Sequence, residues 1–151
     1  MQVSGRAGRH NDRGRVVIQT SQPKHPVIQY VASGDYRAMA LTELEERRAF
    51  SYPPYSRLVR LLMHHADYEL LRRAAHHIAE LLRAKFSSGV MGPVASALEM
   101  LRGQYRAEIL VKVDTGSSMS RAREHIRHVI AEVAKINDIK SVRVDVDVDA
   151  L

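Results

Sequence analysis

The spacing of apolar residues changes repeatedly along this chain, and each change marks an element. Gly14 opens a β-branched run, Val16-Val17-Ile18-Gln19-Thr20, closed by Pro23 and Pro26, which predicts a short buried strand. From Val27 to Phe50 the pattern is helical, with a break at Ser33-Gly34-Asp35 where Asp35 suits the N-cap of a second helix. Tyr52-Pro53-Pro54-Tyr55 ends that helix, because proline removes a donor and pushes its neighbour out of the α region. The chain is therefore expected to divide into residues 1–50 and residues 51–151.

Beyond the prolines, strand and helix spacings alternate. Leu58–His65 reads as a strand. Asp67 suits the cap of a helix whose stripe is Leu70, Leu71, Ala74, Ala75, Ile78, Leu81 and Leu82, and Ser87-Ser88-Gly89 ends it. Val90–Ala95 is a short extended segment interrupted by Gly92-Pro93, and Tyr105–Val113 is a strand with Ile109, Val111 and Val113 on one face. A second amphipathic helix carries Ala122, Ile126, Val129, Ile130 and Val133 and ends at Asn137-Asp138. Val142, Val144, Val146 and Val148 alternate with Arg143, Asp145, Asp147 and Asp149, the period of a half-buried strand. The order β-α-β-β-α-β predicts an α+β domain of ferredoxin-like type, two helices on one face of a four-stranded antiparallel sheet, preceded by a strand-plus-helices segment. If Val59, Leu61 and Met63 face the helices, then Leu58, Arg60, Leu62 and Leu110 lie on the opposite face. Leucines there imply either a docked face or a register one residue away.

Composition narrows the chemistry. Of 151 residues none is cysteine, which excludes disulfides, thiolate zinc, iron–sulfur clusters and cysteine nucleophiles from this chain. No apolar run approaches the roughly 20 residues of a membrane span, and the Arg-rich start has no apolar core of a secretory signal. The net charge of +6 is uneven. Residues 1–20 hold four arginines against Asp12, residues 57–143 hold fifteen basic and nine acidic side chains, and Asp145, Asp147 and Asp149 close the chain. Such an excess suits phosphate neutralisation but is shared by many proteins that bind no nucleic acid.

His64-His65 and His76-His77 are adjacent pairs that point apart, and His125 and His128, three apart on a helix, lack a carboxylate at matching spacing, so no metal site is assigned. Asp145, Asp147 and Asp149 share one strand face, where a cation or neighbouring arginines such as Arg60 could meet them; pairing with arginines is the expectation. Arg72, Arg73, Arg83, Arg121, Arg123 and Arg127 form basic outer helix faces, either merely solvated or a surface for DNA backbone or an acidic peptide. Arg121 and Arg123, at the start of the second helix, are the preferred pair for a carboxylate, since the helix N-terminus is positive. Tyr105 is best placed for base stacking.

The most informative segment is Gln2-Val3-Ser4-Gly5-Arg6-Ala7-Gly8-Arg9. Its glycines let backbone approach a ligand and its arginines offer forked donors to phosphate. On spacing alone it is a basic loop, an arginine/glycine tail or a pair of phosphate-contacting arginines. It resembles motif VI of superfamily 2 helicases, Gln-x-x-Gly-Arg-x-Gly-Arg, at every motif position. The rest of the chain resembles the PriA family of bacterial replication-restart helicases through Val17-Ile18-Gln19-Thr20, Pro23, His25-Pro26, Asp35-Tyr36, Glu43-Leu44, Glu46-Arg47, Tyr52-Pro53-Pro54-Tyr55, Arg57-Leu58, Gly92-Pro93, Tyr105-Arg106, Leu110, Lys112 and Val144-Asp145-Val146-Asp147. Ala95, Ala97, Met100, Ala107 and Val148 depart from the family pattern.

The resemblance implies a C-terminal fragment: residues 1–50 as the end of the second helicase lobe and 51–151 as the C-terminal domain. The intact protein would be a cytoplasmic ATP-dependent DNA helicase using ATP and Mg²⁺, acting in replication restart and primosome assembly. Arg6 and Arg9 would contact ATP phosphates, with Gln2, Gly5 and Gly8 shaping the motif. Tyr105, Arg106, Lys112, Arg121 and Arg123 are the residues expected to meet nucleic acid or a partner. The implied partners are branched or single-stranded DNA, the acidic tail of the single-stranded-DNA-binding protein and other primosome proteins, without a membrane. A Walker loop and an Asp-Glu box are absent from the sequence, so the fragment alone is expected not to hydrolyse ATP, and zinc is expected only upstream. The rival reading is a stand-alone ferredoxin-like nucleic-acid-binding or assembly module, similar to ribosomal protein S ten, with a basic N-terminal tail.

Overall fold

A computed structural model of the protein describes residues 16–101 and 103–149. The chain divides into two units between Glu46 and Arg47. In the first, α1 (Pro26–Ser33) starts at His25, whose Nδ1 accepts a hydrogen bond from Val27 N, and stops at Gly34, which takes the left-handed φ of 72°. Asp35 Oδ1 then accepts from Ala38 N at 2.9 Å, capping α2 (Tyr36–Ala49) as its sequence suggests. Tyr30 and Thr42 join the two helices by a hydroxyl–hydroxyl bond of 3.1 Å.

Residues 16–20 correct the expectation of a buried strand. They are not in a strand, and Val17 is 80% exposed. A β-branched run expresses its preference only against a neighbouring strand, and none pairs with it among the described residues.

The second unit contains β1 (Ser56–His65), α3 (Tyr68–Phe86), β2 (Val90–Leu101), β3 (Gln104–Asp114), α4 (Met119–Val133) and β4 (Arg143–Val148). The strands form one sheet in the order β2-β3-β1-β4, with every neighbouring pair antiparallel. This is the α+β, ferredoxin-like arrangement. Val59, Leu61, Met63, Ile109 and Val111 on the sheet meet Leu71, Ala74, Ile78 and Leu82 of α3 and Ile126 and Val129 of α4, and these side chains are the core.

β1 pairs in the register that puts Val59, Leu61 and Met63 inward, so Leu58, Arg60, Leu62 and Leu110 do lie on the face away from the helices. The chain itself meets part of that face. Lys112, the cross-strand partner of Leu58, donates from Nζ to Phe50 O at 2.7 Å and stands 3.9 Å from the centre of the Tyr52 ring. The segment before β1 is tied down further by Ser56 Oγ donating to Ser51 O and by Arg48 over the Tyr55 ring. Leu58 is only 4% exposed, whereas Leu62 and Leu110 are half-buried.

β2 is longer than its sequence suggests, continuing beyond Ala95 to Leu101 with two register shifts against β3. One shift spans Gly92, whose φ is 93° and whose missing Cβ would stand 2.7 Å from Glu108 O.

Candidate functional site

α3 ends and α4 begins at the same edge of the unit. α3 stops at Phe86 and a single 3₁₀ turn, Ser87–Gly89, hands the chain to β2. At the far end of β3, Ser117 N donates to Asp114 O, and Ser118 caps α4 through an Oγ that accepts from Arg121 N at 3.4 Å. Between these turns lies an open cleft of about 620 Å³ whose walls include Lys85, Phe86, Lys112, Asp114, Arg121 and His125. Lys85 and Arg121 thus stand beside the first turn of α4, whose free backbone N–H groups carry the positive end of the helix dipole, while the Lys112 ammonium is held on the other face of the sheet at Phe50 and Tyr52. Arg121 is exposed and has no ion-pair partner among the described residues. The His125 ring packs edge-on against Phe86 at 5.6 Å, and its Nε2 is buried without a hydrogen-bond partner among those residues. The cleft can therefore take an anionic group beside an apolar ring, the pairing that a carboxylate-ended peptide offers.

The structure separates residues that the sequence grouped. Arg121 and Arg123 do not share a pocket: Arg121 lines the cleft, while Arg123 and Arg127 line a groove of about 280 Å³ with Val59, Ile126, Val146 and Val148. Two helical positions apart is roughly 200° of rotation, so neighbours of this kind serve different faces. Lys112 borders the cleft, but its ammonium is turned to the linker at Phe50 and Tyr52. Tyr105 and Arg106 lie at the other end of β3, about 20–23 Å from Lys112 at roughly 3.3 Å per residue. Tyr105 makes an edge-to-face contact with Tyr68 at 5.4 Å, and Arg106 borders a groove with Tyr68, Arg72, His76 and Val94. Gln2, Gly5, Arg6, Gly8 and Arg9 lie outside the described residues.

Among the other basic side chains, Arg72 is bound to Glu69 at 2.8 Å and Arg83 donates to Gly92 O, so both have local structural partners. The acidic row of β4 pairs with basic residues of β1 as the sequence suggests: Arg60–Asp147 at 3.0 Å, His64–Asp145 at 3.2 Å and Arg57–Asp149 at 2.6 Å. His128 pairs with Glu132 on its own helix. Sequence reasoning missed Lys85 and undervalued His125. Lys85 lies in another helix, and only the fold brings it to Arg121; His125 was weighed solely as a metal ligand.

Residues 48–150 match the family described as the primosomal protein N C-terminal domain. The chain belongs to this PriA C-terminal domain family. Replication restart protein PriA of Treponema pallidum is 38% identical over 114 residues, covering 74% of this chain. The PriA proteins of Synechocystis and Bacillus subtilis are 33% and 34% identical, covering 99% and 87% of it. The chain spans 17% of the length of each of these three PriA proteins.

Proposed function

We propose that this chain is the C-terminal part of a PriA-type ATP-dependent DNA helicase acting in replication restart and primosome assembly in the bacterial cytoplasm. Its second unit is a docking module for branched or single-stranded DNA and for the acidic C-terminal tail of the single-stranded-DNA-binding protein. In the intact protein Arg6 and Arg9 of motif VI contact the phosphates of Mg²⁺-bound ATP, with Gln2, Gly5 and Gly8 shaping their loop. The names of the relatives support the restart role.

The observation that carries the peptide-binding role is the cleft at the start of α4, where Lys85 and Arg121 flank free helix N–H groups beside the Phe86–His125 wall. A terminal carboxylate placed there gains charge-assisted bonds, each worth about 1.5–3 kcal/mol, while an adjacent apolar side chain meets the ring. Fluorescence anisotropy with an acidic C-terminal peptide tests this directly. Arg121→Ala should weaken binding roughly tenfold or more, since loss of one charge-assisted bond at 1.4 kcal/mol per decade has that size. Arg123→Ala, which lines the other groove, should leave affinity within about twofold. Equal losses for both, or none for Arg121→Ala, would reject the site.

A further inference from the structure

The two edges of the sheet are built differently. The β2 edge is interrupted by Gly92-Pro93 and by two register shifts, devices that blunt an edge against further pairing. β4 has neither proline nor bulge and pairs with β1 in unbroken register from Arg143 to Val148. Asp149 N donates to Leu58 O at 2.7 Å, which fixes the alternation: Asp145 and Asp147 turn their backbone groups to β1, and Val144, Val146 and Val148 turn theirs to the edge that no strand pairs with among the described residues of this unit. Beside that edge lies the groove of Val59, Ile126, Val146 and Val148, and Val146 is 45% exposed.

We propose that β4 is a strand-addition site for an extended peptide in which apolar residues alternate with lysine or arginine. The two faces of the edge dictate this pattern. On the helix side an added strand meets Val146, Val148 and Ile126, with Arg123 and Arg127 at the rim repelling cations. On the other side it meets Asp145 and Asp147, whose side chains remain 50% and 55% exposed although paired with His64 and Arg60. Cross-strand basic residues complete that acidic row. A second copy of the chain does not fit. A symmetric β4–β4 pair is antiparallel, and every register that keeps the valines on one face and pairs five or more residues of β4 sets at least one aspartate opposite an aspartate. Main-chain bonds supply affinity and the alternating side chains supply selectivity, as in other strand additions.

The test uses the full chain and three acetylated, amidated hexapeptides: alternating Lys-Val, alternating Glu-Val, and the Lys-Val peptide N-methylated at alternate residues on its bonding edge. Isotope-edited NMR titration should show saturable shifts confined to β4 and the facing part of α4 with the Lys-Val peptide. At least tenfold weaker binding is expected for the other two. Val146→Pro, which removes an outward N–H without touching a bond to β1, should abolish binding while the melting temperature shows that the domain stays folded. If that variant unfolds, the N-methylated peptide decides alone. Because the protein carries +6, non-specific attraction would favour the Glu-Val peptide. Equal or preferential binding of Glu-Val, unchanged binding of the N-methylated peptide, shifts centred elsewhere, or dimerisation through β4 would each overturn the proposal. These outcomes are independent of the Arg121 cleft.

Discussion

Asp149 closes β4 with a φ of 59°, and its carboxylate accepts from both Nε and Nη2 of Arg57. Those hydrogen bonds hold its carboxyl below its ordinary value of 3.8. A depressed carboxylate stabilises the fold above its unfolded-state pKa, and that contribution is lost as pH falls through the lower folded value. Asp149→Asn should therefore flatten the loss of stability below about pH 4, measured by denaturant melts at a series of pH values. Asparagine tolerates the left-handed backbone, so the comparison isolates the charge. Gly92 answers to backbone sterics instead. Gly92→Ala must place a methyl 2.7 Å from Glu108 O at a φ of 93°, and should cost about 1–3 kcal/mol in urea unfolding. The arginine partners of the aspartate row were legible in outline, since alternation put Asp145, Asp147 and Asp149 on one face. Which base meets which acid depended on the register between β1 and β4.

Elements were legible where local chemistry and burial agree. Asp67 precedes an apolar stripe, and its Oδ1 does accept from Leu70 N at 3.0 Å. Asp67→Ala should destabilise the protein by about 1 kcal/mol in thermal or urea melts, the usual loss of an N-cap bond. Leu61 lies on the inner face of β1 with no exposed surface, and Leu61→Ala should cost about 2–5 kcal/mol by the same measurement. Residues 16–20 show why propensity fails alone: they stay exposed with no partner strand among the described residues. β2 errs the other way. Its pairing with β3 carries it through Gly92-Pro93 and on to Leu101, although the local sequence reads as interrupted.

At the scale of the molecule, the buried core of the described residues falls within the second unit. A chain beginning at Arg47 should keep a single cooperative unfolding transition with a melting temperature close to that of the full chain, followed by circular dichroism; loss of cooperativity would refute its independence. The 151-residue chain should bind single-stranded or forked DNA at low ionic strength and lose roughly tenfold or more of that affinity between about 50 and 200 mM salt. No binding at low salt would remove the DNA role. The same preparation should show no DNA-stimulated ATP hydrolysis, because no phosphate loop accompanies Arg6 and Arg9.

By itself the sequence determined the alternation of elements, the caps at Asp35 and Asp67, the inward face of β1 and the resemblance to PriA, because periodicity and capping are local and the motifs are contiguous. The tertiary structure decided what depends on residues distant in the chain. It brought Lys85 and Arg121 to one cleft, sent Arg123 to another, tied the linker to Lys112 and left β4 as the regular edge. Those facts rest on strand order and cross-strand register, which follow from the joint burial of several faces and are carried by no single segment.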